Sequence, residues 1–202
     1  QSSLQVIGSN FFPHNKISLR GVSSSHINNN VLLLINGRPL REATTSSLDH
    51  DIFSLFPVQA IKKIELIRGP GSVLYGTNAF SGAINIVTYN GDDHGPTQLS
   101  ATVGSFDSEE LQGTLAGAQD NLKWFGAVRH LNSEGDQIAG VSDEFDSRED
   151  YSLGVQGTQA FAQLDFRGLN IEALYSGSDT DNVRSIFAYP ESKIEIERQF
   201  ID

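Results

Sequence analysis

The residues most able to do chemistry are few and dispersed. His14, His26, His50, His94 and His130 show neither triad nor metal-ligand spacing. Asp49-His50-Asp51 offers metal donors, but consecutive residues of a helix or strand do not share a face, and no partner cluster accompanies them. A solvated loop is expected there. Gly69-Pro70-Gly71-Ser72-Val73-Leu74-Tyr75-Gly76 follows a strand-like run and is rich in glycine. It lacks the Gly-Lys-Ser/Thr ending of a phosphate loop, which argues against nucleotide binding. The stretch Glu134–Asp150 carries Asp136, Asp143, Glu144, Asp146, Glu149 and Asp150, carboxylates of the kind that bind Ca²⁺. It has neither EF-hand spacing nor the turn glycine, so a solvated acidic loop is the expectation. The chain has no cysteine, which removes thiolate zinc sites, cysteine nucleophiles and disulfide scaffolds. No catalytic residue, metal or cofactor is therefore expected. Ser23–Asn30 offers hydroxyls, amides and the His26 imidazole, as polar loops commonly do.

Charge divides the chain that must position these groups. Residues 1–95 carry a net +1 and residues 96–202 a net −12, within a total of −11 over 202 residues. A change of that size marks a boundary near the Gly/Pro/Asp-rich stretch Asn90–Pro96. Neither part has a basic stripe with interleaved aromatics, so nucleic acid is not an expected partner. No apolar run approaches the ~20 residues of a membrane helix. The longest clear one is Val31–Ile35. Gln1 opens without the basic and apolar regions of a signal peptide, so any such leader is expected to have been removed.

The first part reads as a small α+β unit. Ile17-Ser18-Leu19 is a short strand, and Val31–Ile35 a strand suited to burial on both faces. Asn36-Gly37 predicts a hairpin, because both residues tolerate positive φ. Pro39 then confines the return strand to an edge. Leu48–Phe56 reads as a short helical or irregular segment, and Pro57 suits the start of a helical turn. Lys62–Arg68 and Ala83–Thr88 are strands, and Ser72 a plausible N-cap for a turn that Gly76 ends.

The second part alternates with period two. Apolar or small residues recur at Leu99, Ala101, Val103; Leu111, Gly113, Leu115; Trp124, Gly126, Val128; Ala160, Ala162, Leu164, Phe166; and Leu169, Ile171, Ala173, Tyr175. Gln119-Asp120-Asn121 and Arg167-Gly168 are tight turns at one end. Asn132–Asp150 and the stretch from Ser178 are long connections at the other; only the Phe106-Asp107-Ser108 link breaks the asymmetry. Both a transmembrane barrel wall and a soluble sandwich alternate in this way.

The run from Ile61 to Thr88 resembles the end of the plug domain of TonB-dependent outer-membrane receptors. The family pattern is roughly I-x-x-I-E-V-x-R-G-P-x-S-x-x-Y-G-x-x-A-x-x-G-x-I-N-I-x-T, with Leu66 here where Val is usual. Leu19-Arg20-Gly21 and Val31–Leu40 are similar to its upstream elements, with Asn36 replacing the commoner Asp. The resemblance is close over residues 11–88 and one of pattern only over 97–177. It implies an α+β plug domain, a small mixed sheet with short helices, over residues 1–95. Antiparallel β-strands of an incomplete transmembrane β-barrel would follow over 96–202. Gly37, Gly69, Pro70, Tyr75, Gly76, Gly82 and Asn85 would be structural motif residues, and Ile64, Leu66, Ile84 and Ile86 the plug core. Arg20 and Arg68 would pair with carboxylates on the inner barrel wall. Ser24, Ser25, His26, Asn28 and Asn29, with an apex at Arg41–Leu48, would face the ligand.

A plugged barrel of this kind has about 22 strands, and some 106 residues follow the boundary here. The chain is thus expected to be a receptor fragment, whose TonB-binding segment and remaining strands lie elsewhere. The function implied is import of a scarce nutrient, foremost a ferric siderophore, across the outer membrane of a Gram-negative bacterium. TonB would drive plug rearrangement with the proton gradient. Cobalamin, haem or a glycan are alternative cargoes. A phage or bacteriocin docking surface and a soluble β-rich binding module are alternative roles. Expected partners are TonB, the remaining barrel strands, outer-membrane lipid and the nutrient.

Overall fold

A computed structural model describes residues 4–7, 16–19, 30–41, 50–69, 75, 79–93, 97–142, 148–152, 154–181 and 193–201. Two compact units emerge, one drawn from Gln1–His50 and Ile61–Thr88, the other from Asp51–Ala60 and Tyr89–Asp202.

In the first unit, β1 (Leu4–Ile7) and β2 (Lys16–Leu19) pair as an antiparallel ribbon. A separate mixed sheet is built from β3 (Val31–Ile35), β4 (Arg38–Pro39), β5 (Ile61–Arg68) and β6 (Gly82–Thr88), in the order β4-β3-β6-β5. β3 runs parallel to β6, and all five of its residues are buried, as an unbroken apolar run requires. Pro39 sits on the edge strand, where its missing N–H leaves no ladder bond unmade. On one sheet face Leu32, Leu34, Ala79 and Ala83 form a cluster, with Ile67 and Tyr75 packed against it. The other face carries Val31, Leu33, Ile35, Ile84 and Ile86, in register with Leu66 and Ile64. Of the expected core, Ile86 is buried, Leu66 and Ile84 are half-buried, and Ile64 is 61% exposed. The correction at Ile64 follows from topology. β5 is an edge strand among the described strands, so within them Ile64 has a neighbour on one side only.

The second unit begins with α1 (His50–Leu55), nearly all of it in this unit, then Pro57 and a 3-10 turn over Val58–Ala60. Six strands form an antiparallel wall: β7 (Gln98–Gly104), β8 (Ser108–Gln119), β9 (Leu122–Ser133), β12 (Val155–Phe166), β13 (Leu169–Asp181) and β14 (Lys193–Ile201), in the order β14-β13-β12-β9-β8-β7. Two-residue turns at Asp120-Asn121 and Arg167-Gly168 close one end; φ is +51° at Asp120, +51° at Arg167 and +87° at Gly168. These suit a primed turn, whose twist matches the flanking strands. The acidic connection expected as a loop contains a hairpin, β10 (Gln137–Ser142) with β11 (Arg148–Ser152). Ladder hydrogen bonds between two short strands hold it, so its acidic side chains did not reveal it.

The two wall faces are inverted relative to a soluble sheet. Leu99 (76%), Val103 (81%), Leu111, Leu115, Val128, Leu164, Phe166, Leu169, Ile171 and Tyr175 are exposed on one face. On the other, Gln112, Thr114, Gln159, Ser176 and Ser178 are buried beside Phe125, Ala127, Phe161 and Leu174. The exposed set falls on the alternation read from the sequence.

Candidate functional site

Within the first unit two of the motif residues, Gly37 and Asn85, meet at the β3–β4 turn. Asn36 (φ +50°) and Gly37 (φ +83°) make that turn, in a backbone region that favours Asn and Gly. The Asn85 side chain on β6 holds it from below. Its Oδ1 accepts the Gly37 N–H at 2.9 Å, and its Nδ2 donates to Glu65 Oε2 on β5 at 2.9 Å. Asn36 reaches the same strand: its Oδ1 accepts the Thr88 N–H and its Nδ2 donates to Thr88 Oγ1, both at 2.9 Å. Lys63 Nζ lies 2.6 Å from Glu65 Oε1. The hydrogen bond from Lys63 and then that from Asn85 hold the Glu65 carboxyl below its ordinary value of 4.5.

The remaining motif residues are spread along the same sheet. The Gly69 N–H donates to Ser81 O at 3.2 Å, and Ser81 N–H to Asn30 O at 2.8 Å, closing the base of the β5–β6 connection. Gly82 pairs with Val31 on one side and Arg68 on the other. Arg68 ends β5 with an exposed side chain. Arg20, Ser24, Ser25, His26, Asn28, Asn29, Pro70 and Gly76 lie outside the described residues, as do positions 42–48.

The second unit contains an arrangement the sequence reading missed. Residues 52–60 are seated on the polar face of the wall. Ile52, Leu55, Phe56, Pro57 and Ala60 are buried. Leu55 fills the notch over Gly157, where an added Cβ would collide with its Cδ1. Phe56 stacks at a tilt on Phe161, 6.0 Å between centroids, and Phe161 meets Phe125 at 6.4 Å. Direct hydrogen bonds help fix the seat: Arg129 Nη1 donates to Ser54 O at 2.8 Å, and Gln59 Nε2 to Ser100 Oγ at 2.6 Å. Arg129 is itself steadied by Glu110 Oε2, 2.6 Å from Nη2 and 3.2 Å from Nε. Glu110 also accepts a hydrogen bond from Gln112 Nε2.

The exit from β6 is tied to the same unit. Tyr89 N–H donates to Ala60 O at 2.9 Å, and the Tyr89 ring lies 6.3 Å from Phe125. Asn90 caps the 3-10 turn Gly91–Asp93, its Oδ1 accepting from Asp92 and Asp93 N–H at 3.0 Å each. Asp92 pairs with Lys123 at 2.5 Å. A Cβ at Gly91 would sit 2.7 Å from Gly117 O, Lys123 Cβ and Trp124 N, so only glycine fits. The sequence signal for the seat was present but unread. Gln98, Gln112, Gln159 and Gln163 are polar partners in the wall alternation, and Arg129 is a cation in the middle of a strand on that same polar side.

Comparisons with known proteins agree with this architecture. The family model of the TonB-dependent receptor plug domain matches residues 1–83. The vitamin B12 transporter BtuB of Photobacterium profundum is 27% identical over 183 residues, covering 88% of this chain and 28% of that protein. A structure of Pseudomonas aeruginosa FpvA bound to heterologous pyoverdines aligns with a TM-score of 0.64 at 14% identity, over 98% of this chain and 27% of its own. The ferric enterobactin receptor PfeA of Pseudomonas aeruginosa, as a mutant in complex with enterobactin, aligns with a TM-score of 0.56 at 19% identity, over 89% of this chain and 29% of its own. At those identities the two structures speak to fold alone. The chain spans a little over a quarter of the length of these relatives.

Proposed function

Residues 1–83 are a TonB-dependent receptor plug domain, and the strands beyond them resemble that receptor's barrel; on this premise we propose that the chain is the plug and opening barrel strands of a nutrient importer. The family belongs to the Gram-negative outer membrane and consists of transporters and receptors rather than enzymes. The proposed division is a plug over 1–95 and barrel strands over 96–202.

One observation carries the reading: the wall exposes its apolar face, buries its polar face, and seats residues 52–60 of the plug match on that polar face. A soluble sandwich would bury the apolar face instead. A strand of 12 residues is ~40 Å long, and at a tilt of roughly 45° it crosses about 28 Å, close to the hydrocarbon thickness. Such a wall presents its apolar band to lipid and its polar face to the lumen that the plug fills. In this reading TonB draws on the plug with the energy of the proton gradient, and the plug's rearrangement opens a path. Arg20 and Arg68 would pair with carboxylates of the lumen wall. Ser24, Ser25, His26, Asn28 and Asn29 would meet the cargo at the plug apex.

Two cargo readings stand. A ferric siderophore is the commonest family cargo and remains the first. Cobalamin is favoured by the likeness to a vitamin B12 transporter over most of this chain. Growth of a deletion strain on single iron sources or on limiting cobalamin tests both. Loss of growth on one ferric siderophore supports the first, and loss on cobalamin the second. Unimpaired growth on every source, with the protein found in the cytosol, would overturn the importer reading.

A further inference from the structure

Two Asn-Gly dipeptides occur in the chain, Asn36-Gly37 and Asn90-Gly91. An asparagine amide is thermally labile, and most so before glycine, where no side chain hinders attack by the next backbone nitrogen. That attack joins the glycine nitrogen to the asparagine Cγ. The nitrogen gives up its proton, and the bond from Cγ to the side-chain nitrogen breaks to release ammonia. Solvent water then opens the cyclic imide, leaving aspartate or, through the other carbonyl, isoaspartate. No oxidant or reductant takes part. Solvent reaches Asn36-Gly37 in this fold, since Gly37 is exposed and Asn36 half-buried. The reacting groups are nevertheless tethered separately. The Gly37 N–H donates to Asn85 Oδ1 at 2.9 Å. The Asn36 amide is pinned to Thr88, its Oδ1 accepting the Thr88 N–H and its Nδ2 donating to Thr88 Oγ1. The Asn36 N–H donates to Ile86 O at 2.9 Å. Asn85, Ile86 and Thr88 all lie on β6.

We propose that Asn36-Gly37 is a masked self-modification site, closed while β3 and its turn stay on β6 and reactive once that parallel pair opens. Contact with β6 is the mask, because the imide forms only after the Gly37 nitrogen leaves Asn85 and the Asn36 amide leaves Thr88. Local opening of the sheet therefore sets the rate. The two products differ in what they do to the sheet. Aspartate at position 36 keeps an oxygen for the Thr88 N–H, and the Thr88 hydroxyl, already 3.2 Å from that oxygen, donates to it, so the turn re-forms. Isoaspartate inserts a methylene into the backbone of a two-residue turn. It breaks the register that sets Ile35 opposite Arg38 and Leu34 opposite Pro39. The chain thus carries an irreversible record of how often this sheet has opened. Asn90-Gly91 lies in the other unit under a different mask. Asn90 Oδ1 is occupied by the Asp92 and Asp93 N–H groups, and Gly91 is buried.

The test incubates the full receptor in detergent micelles in warm, mildly alkaline buffer, with and without unfolding concentrations of guanidinium chloride. Peptide mapping by mass spectrometry follows both sites. Asn36 should convert in denaturant and about tenfold or more slowly in the folded protein, a factor that a few hydrogen bonds supply together. Asn85→Ala frees the Gly37 nitrogen and should quicken conversion of Asn36 several-fold in the folded protein, while Asn90 keeps the parent's rate. Thr88→Val, which removes the hydroxyl that holds the Asn36 amide, should act in the same direction. Exchange of the Leu32 and Leu34 amides reports whether the sheet is still formed. For a variant whose sheet is lost, the parent's folded and unfolded rates decide alone. Equal rates for folded and unfolded parent, or no conversion in denaturant, would overturn the proposal. So would variants with an intact sheet that convert at the parent's rate, or that quicken Asn90 as much as Asn36.

Discussion

Asn85 shows how one side chain organises a turn it does not belong to. It bridges the Gly37 N–H and the Glu65 carboxylate, tying the β3–β4 turn to β6 and β5 of the plug sheet. Asn85→Ala removes both bonds and should destabilise that sheet by about 1–2 kcal/mol, read as faster amide exchange in β3 and β6. Unchanged exchange would show that the turn stands without it. Glu65 gives the same network a pH dependence. Its folded pKa is depressed, so its contribution is present above the ordinary value of 4.5 and is lost as pH falls through the lowered folded value. Acidification should therefore loosen the β5–β6 pair, and Glu65→Gln should flatten that part of the profile. Gly91 offers a sharper test of close packing. Gly91→Ala would force a Cβ against Gly117 O and Trp124 N, and about 1–3 kcal/mol of overpacking should appear in thermal unfolding of the wall.

At the scale of elements, the prediction concerns which face of the wall meets lipid. Leu115 is exposed on the apolar face, whereas Gln163 shares the opposite face with Phe161. Leu115→Arg should cost about 2–4 kcal/mol if its depth is near the bilayer midplane, while Gln163→Arg should cost far less. Folding titrations into lipid vesicles measure the difference, and equal costs would contradict the assignment of faces. The strands themselves were legible because period-two alternation is a property of the local chain, and Leu99, Leu115, Leu164 and Tyr175 declare it. The Asn36-Gly37 hairpin and the buried β3 were legible for the same local reason. The seat of residues 52–60 was not. Its partners, Arg129 with Ser54 and Gln59 with Ser100, are far apart in sequence and joined only by tertiary packing. Ile64 misled for a related reason: apolarity marks a face, but only sheet order reveals that β5 is an edge.

For the molecule as a whole, the wall's two borders and its outer face set the behaviour of these 202 residues when expressed alone. β7 and β14 each have one neighbour among the described strands, so each presents a row of unpaired backbone groups. Leu99 and Val103 on β7 add an exposed apolar strip beside one of those rows. Bare edges and apolar surface both favour association, and the strong negative charge of residues 96–202 opposes it only over a Debye length of about 10 Å at 0.1 M salt. Edge-to-edge pairing acts at about 4.8 Å, well inside that range. Light scattering in plain buffer should therefore report oligomers that become more numerous as salt is raised. Detergent micelles should disperse them by covering the outer face. Leu99→Lys with Val103→Lys should weaken them in buffer, since charge on an edge strand blocks pairing. A monodisperse monomer in plain buffer, at both low and high salt, would mean that the apolar face is covered by this chain itself, and the wall would then not be built for lipid.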